Sequence, residues 1–215
     1  YGSTLPREFV SVYAAKLAGR TYAFGADGSE GVRMYDMTKA ATFTSPCLDE
    51  SPASNCGVFL RRISNATFVR EVSGTGNLLS ISGPRGVEIW NVSNPSAPDL
   101  RGTFGPSDIA YGQAMWSDGN GTPYLGAIDN TGILRIYNAS CASTGSCSGI
   151  APLSSVSTTS TGYFTVSASK SGATPFIYIG MVGLCGIDGQ AEWLFDVSDP
   201  SAPREIAPVR GIANG

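Results

Sequence analysis

No histidine occurs anywhere in the 215 residues. Ser–His and Cys–His nucleophilic chemistry is therefore absent from this stretch. Without histidine or a Cys-x-x-Cys spacing there is also no zinc site to read, and no cofactor is implied. Charge is scarce: charged residues make up 14% of the chain and the net charge is −3. That excludes the basic footprint of a nucleic-acid binder and leaves no polybasic membrane patch. No apolar run reaches 18 residues, so no membrane-spanning helix is expected. Residue 1 is Tyr, with no initiator Met and no basic-then-apolar leader. The expectation is a mature exported protein or a piece of one. A piece is preferred, because residues 209–215 offer no closing strand.

What the chain does have is turns and short apolar runs. It carries 27 Gly and 13 Pro beside 9 Phe, 9 Tyr and 3 Trp. Such a mixture points to many short strands joined by turns. One six-residue segment recurs four times: Gly31–Asp36, Gly86–Asn91, Ile133–Asn138 and, more loosely, Ala191–Asp196. Each is a short apolar or aromatic strand ending in Asp or Asn. A repeat near fifty residues built only of short strands suits a four-stranded propeller blade, which buries its faces by stacking on neighbours. The fold class expected is all-β, a β-propeller of four-stranded antiparallel blades. About four blades are expected, at 7–64, 65–107, 108–157 and 158–210.

The connection after the recurring strand comes in two kinds. Residues 92–98 and 197–203 are near-identical heptapeptides, VSNPSAP and VSDPSAP. Asn or Asp before Pro starts a turn, and two prolines stiffen its exit. The other two repeats carry insertions there, each with a cysteine pair: Cys47 with Cys56, and Cys141 with Cys147. Two disulfides are the expectation, which implies an oxidising compartment: extracellular, cell surface or periplasm. Cys185 is left over, either as a buried thiol or paired with a cysteine outside the stretch.

The run GVEIWNVSNPSAPDLRGTF (residues 86–104) resembles the LVIVD repeat, and WLFDVSDPSAPREI (193–206) is similar to it. The first and third repeats share only the strand. The resemblance implies a β-propeller, exported or surface-anchored, here a fragment of a larger ring. It implies no reaction.

Site signals are few. Asn-x-Ser/Thr sequons start at Asn65, Asn91, Asn120 and Asn138. Asn65 and Asn120 are the preferred glycan acceptors, because the other two are expected to cap turns. The stretch from Asp118 to Asp129 has Pro123 where a calcium loop needs its turn glycine, so it reads as a hairpin. Loops joining second to third strands share one face of a propeller. They present Asp27, Glu30, Arg85, Asp129 and Asp188, a mildly acidic binding face. The function expected is a non-catalytic interaction module whose partner is a protein or glycan at the cell surface, or further blades. The alternative is an exported hydrolase or lyase, with its active site at the ring centre or in blades outside this chain.

Overall fold

The computed structural model describes residues 10–28, 31–38, 58–64, 69–83, 85–105, 110–158, 161–182 and 191–210. Four antiparallel sheets of four strands follow one another along the chain. Blade 1 holds β1 (Ser11–Leu17), β2 (Arg20–Asp27), β3 (Gly31–Asp36) and β4 (Phe59–Ser64). Blade 2 holds β5 (Glu71–Thr75), β6 (Leu78–Gly83), β7 (Gly86–Asn91) and β8 (Asp99–Phe104). Blade 3 holds β9 (Ala110–Ser117), β10 (Pro123–Asp129), β11 (Ile133–Asn138), a single helical turn α1 (Cys141–Thr144) and β12 (Ser154–Ser157). Blade 4 holds β13 (Tyr163–Ser171), β14 (Thr174–Val182), β15 (Ala191–Asp196) and β16 (Arg204–Arg210). Each sheet is a simple meander, and the first strands pack in sequence, β1 on β5, β5 on β9 and β9 on β13. The architecture is that of a β-propeller, with the first strand of each blade innermost.

The period-two alternation of each strand sends its side chains to two different seams. Phe24, Val32 and Met34 of blade 1 meet Val72, Leu79 and Ile81 of blade 2. Leu78, Val87, Ile89 and Phe104 on the other face of blade 2 meet Met115, Leu125 and Tyr137 of blade 3. Trp116, Ile128, Leu134 and Ile136 then meet Phe164, Ile177, Ile179 and Phe195 of blade 4. The middle strands are apolar on both faces because both faces are covered.

The recurring Asp or Asn at the end of each third strand caps the turn that follows. Asp36, Asn91, Asn138 and Asp196 each accept the backbone N–H two residues on, at 2.9–3.1 Å. Local side-chain bonds of this kind satisfy the amides a strand leaves behind on turning.

The connections after those caps do more than stiffen their own blade. Each described one leans on the outermost strand of the blade before it. Ser96 O, in the proline heptapeptide of blade 2, accepts from Arg61 Nη1 of β4 at 2.6 Å. Pro200 O, in that of blade 4, accepts from Ser154 Oγ of β12 at 2.7 Å. In blade 3 the same post is filled by the cysteine loop. Cys141 and Cys147 are disulfide-bonded, and the Cys147 N–H donates to Arg101 O of β8 at 2.5 Å. Ala142 and Cys147 are buried with Phe104 against blade 2. Gly102 of β8 makes this approach practicable: a Cβ there would lie 2.5 Å from Cys147 O. Cys47, Cys56 and Cys185 lie outside the described residues.

Two outcomes follow for this seam. Replacing Cys141 and Cys147 together by Ser should cost about 2 kcal/mol in urea denaturation, the chain-entropy worth of so short a loop. Gly102→Ala should cost about 1–3 kcal/mol by overpacking the same contact, and the two losses should add to less than their sum because they act on one seam.

Candidate functional site

The strand registers sort the loops between two faces. Glu71 opposes Ser82 at the start of β5, Asp27 opposes Gly31, and Asp129 opposes Ala110. The starts of the first strands and the second-to-third-strand connections therefore share one face, the entry face. Hairpins joining first to second strands occupy the opposite, turn face.

Asp27, Arg85 and Asp129 stand on the entry face, and Glu30 and Asp188 lie outside the described residues. Asp27 is buried, with Arg33 Nε 2.9 Å from its carboxylate. Asp129 accepts from the Thr131 and Ile133 amides, the Thr131 hydroxyl and Arg135 Nη1. Burial works to raise its pKa, but those hydrogen bonds and the arginine outweigh it, and the net shift is downward. Asp27–Arg33 and Asp129–Arg135 are one pair repeated in blades 1 and 3. Blade 2 inverts its polarity: Glu88 of the third strand accepts from Arg85 of the loop at 2.6 Å and from Trp90 Nε1 at 3.0 Å. Asn120 is exposed in the β9–β10 turn, on the turn face. There Asp118 Oδ1 accepts from the Asn120 and Thr122 amides at 2.9 and 2.8 Å.

The residue that sequence reasoning missed is Glu71. A ladder of side-chain hydrogen bonds joins the innermost strands, and Glu71 is one of its rungs. Ser11 Oγ of β1 accepts the Val72 N–H of β5 at 3.2 Å. One blade on, at the equivalent register, Glu71 Oε2 accepts the Gln113 N–H of β9 at 2.6 Å. The ladder continues up β5, with Ser73 Oγ accepting from the Met115 amide at 3.1 Å and Thr75 Oγ1 2.8 Å from Ser117 Oγ. The next equivalent of Ser11 and Glu71 is Gly112, which has no side chain to offer the Val166 N–H of β13. That amide helps to lower the pKa of Glu71. Gly112 must stay small, since a Cβ there would lie 2.9 Å from Phe164 O. One half-buried carboxyl thus ties β5 to β9 at the entry face, with the β13 amide of Val166 acting on its pKa. Gln113 is itself fully buried, its Oε1 accepting from Ser80 Oγ at 2.5 Å.

Burial pushes the Glu71 carboxyl up to about 8, against the lowering pull of the Gln113 and Val166 amides. At neutral pH it is mostly a protonated acid. Among the described residues, Asp27, Glu88 and Asp129 at the entry face are each engaged by an arginine, while Glu192 near the entry end of β15 lies beside Tyr178. Among those same residues no cluster of metal-ligating side chains occurs, and no helix is long and apolar enough to cross a membrane.

The fold is similar to that of several solved structures. The Phanerochaete chrysosporium exo-β-1,3-galactanase, solved with β-1,3-galactotriose, matches 92% of this chain with a TM-score of 0.53 at 16% identity. A chain of the Chaetomium thermophilum Polycomb Repressive Complex 2 matches 89% with a TM-score of 0.53 at 12% identity. The Bacillus subtilis arabinanase matches 97% with a TM-score of 0.51 at 9% identity. The chain spans 50%, 40% and 82% of their respective lengths. No family model and no curated protein sequence matches the chain. These likenesses carry the fold, and they correct the expectation of a non-catalytic scaffold. Glycoside hydrolases stand among the structures it resembles.

The titration of Glu71 has a sign that can be checked. Its folded pKa is above the unfolded value of 4.5, so the folded state binds the extra proton between pH 4.5 and about 8. Stability should be greatest below pH 4.5 as far as this group is concerned, and should fall as pH rises towards 8. Glu71→Gln, which keeps an acceptor for the amides but cannot ionise, should flatten that part of a plot of Tm against pH.

Proposed function

We propose that this chain is the propeller part of an exported glycoside hydrolase, acting on a neutral polysaccharide at the entry face. The observation that carries the reading is Glu71: a carboxyl near the ring axis, half-buried and still protonated at neutral pH. Glycosidic cleavage needs such a group to protonate the departing oxygen, and hydrophobic burial is how a carboxyl keeps its proton for the task. A second carboxylate acts as base or nucleophile in that chemistry. Glu30 and Asp188 are the first to assay for it, since Asp27, Glu88 and Asp129 are tied to arginines. The galactan and arabinan enzymes that share the fold suggest β-1,3-galacto- and arabino-oligosaccharides as first substrates.

The remaining readings are proposals of the same kind. The Cys141–Cys147 disulfide is compatible with an oxidising compartment and supports an exported protein. The two proline heptapeptides support kinship with LVIVD repeats and completion of the ring by further blades. The exposed turn at Asn120 supports glycan attachment there, with Asn65 as the companion acceptor. A protein or glycan partner at the cell surface would meet the entry face, where Arg85 is exposed.

Glu71→Gln separates a catalytic role from a purely structural one, because it retains the amide acceptor and loses the proton. Release of reducing sugar from the two oligosaccharides should fall at least 100-fold in this variant at unchanged Tm near pH 5. In the unmodified protein it should decline above about pH 8. A variant that keeps its activity would reduce Glu71 to a clasp between strands, and an unmodified protein that cleaves neither sugar would remove the reading.

A further inference from the structure

The turn face carries a cleft between blades 2 and 3, at the opposite end of the strands from Glu71. It has a volume of about 160 Å³. Its floor is the hydroxyl pair Thr75 and Ser117, 2.8 Å apart across the seam, with the edge of buried Leu78 beside it. Asn77, Asn91 and Ser143 form the rim. Asn91 Oδ1 accepts the Ser93 amide at 2.9 Å, which leaves its NH₂ as a donor. The paired hydroxyls keep lone pairs to spare, so the cleft presents both donors and acceptors.

Among the described residues no charged side chain lines it, and no aromatic ring does. An anion would find no cation there and a cation no carboxylate, and an apolar ligand would leave hydroxyls and amides without partners. A neutral polyol satisfies them, because each of its hydroxyls both donates and accepts. The volume suits one sugar residue. We infer that this cleft is a second, non-catalytic binding site for a neutral sugar unit, able to hold a polysaccharide strand away from the entry face. The sugar class rests on the hydrolase reading, whereas the preference for a neutral polyol rests on the cleft.

The test uses the full chain carrying Glu71→Gln, so that no probe is consumed, titrated with neutral β-1,3-galacto- and arabino-oligosaccharides and with an oligogalacturonate. Saturable binding of a neutral probe is expected, with the anionic one at least 10-fold weaker. Asn77→Ala should weaken it about 10-fold, and Ser143→Phe, a substitution at an exposed residue of the rim, should abolish it. Shifts of backbone amide signals at Thr75, Gly76 and Gly121 should accompany binding. No saturable binding, or binding indifferent to both variants, would overturn the inference. Cleavage that persists in Ser143→Phe on an otherwise unmodified chain, with no cleft binding in any form, would sink this inference alone. Cleft binding without any cleavage would instead sink the hydrolase reading.

Discussion

A four-stranded sheet with two apolar faces cannot stand alone in water, and here each sheet is stabilised by lying on the next. Leu79 and Ile81 of β6 serve one seam while Leu78 of the same strand serves the other. The same strand must therefore be right for two neighbours at once, which is why the period-two pattern is kept so strictly in the middle of each blade. Where the innermost strands converge, apolar packing gives way to polar rungs. There Ser, Thr and one Glu carry hydrogen bonds from blade to blade.

Glu71 shows how structure and chemistry come from one constraint. Ser11 suffices for the amide it meets, because that amide is adjacent. One blade on, the Gln113 amide is met by a longer arm, and the arm ends in a carboxyl. Drawing a carboxyl into that crowded position is what keeps its proton on. An acid poised for proton donation is thus a by-product of satisfying backbone amides near the axis, the same geometry that requires Gly112 to remain bare.

Much of the scaffold was legible in the residues themselves. The recurring strand with its terminal Asp or Asn gave the repeat, because its capping role depends only on residues two apart. The four-stranded antiparallel blades followed from the turn chemistry around it. The Cys141–Cys147 bond was readable from spacing within a polar loop, but its docking on Arg101 was not. That contact joins residues of different blades, and nothing local marks Gly102 as its partner. Glu71 escaped for the same reason. It lies outside every repeated motif, and its meaning appears only when register aligns it with Ser11, Gly112 and Thr165. An acidic residue opening an innermost strand, where its equivalents are small, was the one signal that could have found it. The apparent acidic face was misleading in a complementary way: Asp27 and Asp129 do stand there, but arginines six residues on occupy them.

The connections that lean backwards give the molecule a direction. Ser96 reaches to β4, Cys147 to β8 and Pro200 to β12, always towards the blade already made. An emerging chain would therefore leave each newly formed outer strand without these contacts until the following blade had been threaded out. Edge strands left waiting in this way are the surfaces on which nascent chains pair with one another. The interval between one blade and the next is thus the vulnerable moment in the life of this protein. The oxidation of Cys141 and Cys147, which sets the shape of one of these closing loops, sits within that interval for blade 2.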